Sequence, residues 1–93
     1  MTDKVEQAKT QSAFKTKAKA VNEVLASQLK EDRTTERYTM RQLSSLLDVP
    51  HSFIGKIEQQ GRRLDVGEFI LYCRAMGKDP VAMLQTVIKQ TKS

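Results

Sequence analysis

Two short apolar-faced segments flank Asp48-Val49-Pro50, and that spacing constrains the chain more than any other feature of its sequence. Before the turn, Met40, Leu43, Leu46 and Leu47 give one helical face. Thr39, with Gln42 three residues later, has the spacing of a capping box, so a helix is expected over about 40–47. Pro50 suits a helix start but not a helix interior, and Asp48 tolerates a left-handed backbone. Ile54 and Ile57 then turn inward on a second helix over about 51–59, with Gly61 as its left-handed stop. Two helices this short, joined by a turn of three or four residues, are what a helix-turn-helix requires. Ser44 is the small residue at their crossing, and Val49 fills the gap beneath the turn.

The flanking segments are helical in pattern too. Phe14, Ala18, Val21, Leu25 and Leu29 recur at helical steps, opposite Lys15, Lys17, Lys19, Asn22 and Glu23. They predict a long first helix over about 13–32, preceded by a polar arm or frayed helix start at 1–12 and followed by a charged connector from Glu31 to Tyr38. After the basic loop Arg62-Arg63-Leu64, Asp65 and Glu68 form a second capping box. Val66, Phe69, Ile70 and Cys73 are the expected buried stripe of that helix, and Gly77 its end. Asp79-Pro80 opens a last helix with Val81, Leu84 and Ile88 on one apolar face. No segment alternates with a period of two. The expected fold is all-α, a compact five-helix domain over residues 13–90.

Composition narrows the function. A formal net charge of +5 favours a polyanionic partner. One cysteine, Cys73, and one histidine, His51, rule out an intramolecular disulfide and argue against a Cys/His zinc site. No glycine-rich phosphate loop or paired nucleophile and base supports an enzyme, and no cofactor is expected. The apolar run Phe69–Cys73 is too short for a bilayer, the first residues lack a signal-peptide core, and interfacial Trp is missing. A cytoplasmic chain with no membrane partner is expected.

The run from Tyr38 to Glu58 resembles the helix-turn-helix of the Cro/phage-repressor (Xre) family. Gly61–Phe69 and Cys73–Pro80 resemble that family's next loop and helix, and the likeness spans residues 25 to 85. It implies a sequence-specific double-stranded DNA-binding regulator, usually dimeric, with no cofactor in the domain. It places His51 and Ser52 at base edges, Lys56 one turn further at a base or phosphate, and Thr39 and Arg41 near phosphates at the start of the second helix. It places Arg62 and Arg63 in the loop that grips the backbone. Three positions depart from the family pattern. Met40 stands where Gln is common, Asp48 where the turn has Gly, and the glycine ending the third helix comes at Gly61 rather than at position 60.

The expected function is a transcriptional repressor bound as a homodimer to a pseudo-palindromic operator, with Val81, Leu84 and Ile88 as the dimer contact and the first helix as the other candidate surface. The competing expectation is an antitoxin or accessory subunit, which would use the same domain to bind DNA and a protein partner. Glu58 is expected to pair with a base of the first helix, Lys30 or Arg33. Phe53 and Cys73 are expected near the core. The lysines at 4, 9, 15, 17 and 19 are a solvated face or an extension of the DNA footprint.

Overall fold

The computed structural model describes the backbone of residues 2–91 and the side chains of residues 13–91. Five helices and no strand occur among them: α1 (Thr2–Thr35), α2 (Met40–Leu47), α3 (His51–Glu58), α4 (Val66–Ala75) and α5 (Pro80–Gln90). None is long and apolar enough to cross a membrane among the described residues. α1 packs on α3 and α5, α4 packs on α2 and α5, and α2 packs on α3. Leu29, Leu43, Ile54, Ile57, Tyr72, Cys73, Met76 and Met83 make one core. At about 1.5 Å per residue, α1 is about 50 Å long, and the domain measures 53 × 27 × 19 Å.

α1 begins earlier and ends later than the apolar periodicity indicates, and takes up most of the expected connector. Its upper stripe is not buried, since Phe14 is 72% and Val21 40% exposed. Its apolar contact with the body is made lower down, by Leu25, Ala26 and Leu29, because the globule lies against the C-terminal half of the helix.

Four helices end in one motif. In each, the N–H after the left-handed residue donates five residues back: Tyr38 to Arg33, Val49 to Ser44, Gly61 to Lys56 and Lys78 to Cys73. The left-handed residues are Arg37, Asp48, Gln60 and Gly77. Asp48 therefore plays the part expected of it. Gly61 does not, for Gln60 carries the positive φ of 65°. A side chain in that conformation costs about 1–2 kcal/mol, while glycine loses somewhat more entropy on folding. Gln60→Gly is accordingly expected to raise the urea-unfolding free energy by roughly 0.5–1 kcal/mol.

Two apolar stripes are displaced from their expected positions. On α4, Val66 is 76% exposed, and the buried row is shifted one turn, to Phe69, Tyr72, Cys73 and Met76. Val66 opens the first turn, before the helix has passed under α2. On α2, Leu46 is 58% exposed while Leu43 and Ser44 are buried. α5 buries Met83 and Val87, leaving Val81, Leu84 and Ile88 outside.

Burial pushes the Cys73 thiol up to about 11 from an ordinary 9.0. The Tyr72 phenol, also buried, is raised well above its ordinary 10.0. Both groups are held neutral by the fold, so their contribution is complete below those ordinary values and is lost as pH rises through the folded ones. Unfolding free energy is expected to fall by on the order of 2 kcal/mol on going from neutral pH to about pH 11. Chemical denaturation across that range measures it, and Cys73→Ala should lessen the decline.

Candidate nucleic-acid interface

The helix-turn-helix is fixed by local chemistry at each end. The Thr39 hydroxyl oxygen accepts from the Gln42 N–H at 3.0 Å, and Gln42 Oε1 accepts from the Thr39 N–H at 2.9 Å. That capping box sets where α2 starts and leaves the Thr39 O–H proton free to donate outward. Ser44 is buried at the crossing, its hydroxyl donating to the Arg41 carbonyl at 2.9 Å. Met40, half-buried, lies against α3, since a Cβ at Gly55 would stand 3.9 Å from its sulfur. It serves packing, where a glutamine would have offered a donor.

α3 opens at Pro50 with no side-chain cap. Ile54 and Ile57 anchor its inner face, and half-buried Phe53 packs against the core. His51, Ser52 and Lys56 are exposed on the other side. Ser52 and Lys56 are four residues apart and share one face. The helix's carboxylate, Glu58, is turned inward and paired with Arg33. The outward face of α3 is therefore free of negative charge, as a polyanion requires.

Of the two bases left open for Glu58, the structure selects Arg33. The guanidinium donates to Glu58 Oε2 at 2.5 Å and Oε1 at 3.1 Å, and to the Tyr38 carbonyl at 2.8 Å. One buried side chain thus ties α1 to α3 and to the strand of chain entering α2.

The loop arginines part company. Arg62 makes a fork with Glu68 at 3.1 and 2.8 Å, bonds the Arg63 carbonyl at 3.1 Å, and lies 4.6 Å from the Phe53 ring centroid. The Glu68 hydrogen bond holds the Arg62 guanidinium above its ordinary value, and that same bond draws the Glu68 carboxyl below its own. Arg62 therefore braces the loop against α4. Sequence reasoning missed this pair, whose separation of six positions lies outside any local rule. Arg63 and Arg41 are exposed, and their guanidinium groups have no bonded partner among the described residues.

The chain is similar to a solved structure described as an XRE-family like protein from Pseudomonas syringae pv. tomato, at 39% identity and a TM-score of 0.80 over 86% of this chain and 98% of that one. This chain belongs to the XRE family. The clp gene regulator ClgR from Corynebacterium glutamicum shares the fold, with a TM-score of 0.69 at 18% identity over 76% of each chain. No family model matches the sequence, and no curated protein matches it. For an XRE-family chain, the capping box, the buried serine and the inward acid of α3 together account for how α3 is presented to solvent.

Proposed function

We propose that this XRE-family chain is a sequence-specific double-stranded DNA-binding transcriptional regulator, acting as a repressor at a pseudo-palindromic operator. The observation that supports it is the outer face of α3, where His51, Ser52 and Lys56 stand exposed and uncommitted beside a helix start without a cap. A helix presented this way enters a major groove at its N-terminal turn, so these three side chains read base edges. Thr39, Arg41 and Arg63 hold phosphates on either side, while Arg62 keeps the loop in place. The copies pair through Val81, Leu84 and Ile88 of α5.

Selection of bound sequences from a random duplex pool tests the reading. An inverted repeat with half-sites about one helical turn apart is the expected product. On that site His51→Ala and Lys56→Ala should each cost roughly 1–3 kcal/mol and relax preference at one position. Arg63→Ala should weaken selected and random duplexes alike and flatten the salt dependence by about one phosphate. If both α3 variants keep the full specificity ratio while Arg63→Ala changes it, α3 is not the reader.

A further inference from the structure

Beside the loop that follows α3, a notch of about 130 Å³ opens between that loop and α1. Five donor-bearing side chains line it, Lys19, Asn22, Gln60, Arg62 and Arg63, and its lining holds no carboxylate. Glu68 answers the Arg62 charge from outside the notch. The Lys19 ammonium and the Arg63 guanidinium have no bonded partner among the described residues, so two positive charges converge there without an answering acid. We propose that this notch seats a backbone phosphate of the bound DNA, with Lys19 of α1 completing a contact that the loop makes only in part.

The position follows from the reading of α3 as the base-reading helix, on which this inference rests. Ile57, in the last turn of α3, forms part of the notch floor. Six residues separate it from His51, about 9 Å along the helix axis. A major groove about 12 Å wide is bounded by phosphates on both sides. With the first turn of α3 on the bases, its far end and the notch therefore come to one bounding strand. Lys19 supplies a compact ammonium, Arg63 a planar fork, and Asn22 and Gln60 neutral N–H donors, a set suited to a phosphate oxygen pair. Lys17, two residues away and on another side of α1, does not line the notch.

The test compares Lys19→Gln with Lys17→Gln, which remove the same charge from the same helix. On a duplex carrying the selected site and several flanking base pairs, Lys19→Gln should reduce the slope of log affinity against log salt by about 0.9, the value of one phosphate contact. Lys17→Gln should leave the slope as it is, and Lys19→Arg should restore it. Phosphate ethylation interference should be lost in Lys19→Gln at one backbone position. Thermal melting of the two glutamine variants should coincide. Equal slope changes from Lys17→Gln and Lys19→Gln, or an unaltered interference pattern, would overturn the notch contact and leave the α3 reading standing. A wild-type chain with no preference for any duplex would overturn both.

Discussion

Glu58→Ala is expected to remove about 3–5 kcal/mol of folding stability, because it breaks the buried ion pair of this domain. The Glu58 side chain is 2% and that of Arg33 9% exposed, so deleting the carboxylate strands a guanidinium in a site with almost no water. A domain of this size is stable by about 5–14 kcal/mol in all. One substitution thus takes a large part of the margin. Breaking a buried pair costs more than the pair contributes, because both charges lost their hydration when they were buried. Arg33→Met combined with Glu58→Met should therefore recover much of what Glu58→Ala loses. Its deficit should trace to the Tyr38 carbonyl, which Arg33 also serves. Arg62–Glu68 and Lys78–Glu36 are the contrast, with side chains 34–41% exposed and a separation of 3.6 Å in the second. Pairs so open to solvent contribute little, because water screens both charges. Urea unfolding of Glu58→Ala, the double variant and Glu68→Ala orders the three. A loss below about 1 kcal/mol for Glu58→Ala would mean that water reaches Arg33 in the folded chain.

What was legible in the sequence is what local chemistry decides. The Thr39–Gln42 and Asp65–Glu68 boxes and the Asp79-Pro80 start involve residues at most three apart, and each lies where it was expected. The inward turn of Ile54, Ile57 and Glu58 follows from one short helix with one buried side. Depth along a long element was not legible. Phe14 and Leu29 have the same spacing to their neighbours, yet only Leu29 meets the globule. Periodicity fixes a face and says nothing about how far the body extends beneath it. Helix ends misled for a different reason. Gln60 is held left-handed where the Gly61 N–H closes back on the Lys56 carbonyl, one residue before the glycine that looked like the stop. The candidate interface shows the same division. The exposure of His51, Ser52 and Lys56 could be read from helical phase, whereas the commitment of Arg62 to Glu68 and the approach of Lys19 to the loop depend on tertiary placement.

The second large effect is expected from Leu84→Asp. α5 carries apolar residues on two sides. Met83 and Val87 fall on the core, and Val81, Leu84 and Ile88 stand 61%, 50% and 61% exposed. The two rows are separated by about 110° around the helix, so one cannot be buried by the packing of the other. Three aliphatic side chains left on one exposed face suit a self-complementary contact across a two-fold axis. That axis would set two α3 helices on successive half-sites. An aspartate at position 84 places a charge beside its own copy in an apolar seam, which costs several kcal/mol. The buried row is untouched, so helicity and unfolding of the monomer should change little. Operator affinity should fall by about 10²–10⁴, since the second half-site would no longer be engaged together with the first. Affinity for an isolated half-site should stay within about twofold, because α3 is unaltered. Sedimentation at micromolar protein, run beside binding to full and half operators, measures all three quantities. If Leu84→Asp leaves a dimer that binds the full operator normally, α5 is not the seam. Phe14 and Val21 on the open stretch of α1 are then the next apolar surface to test, and Val21→Asp should dissociate the dimer instead.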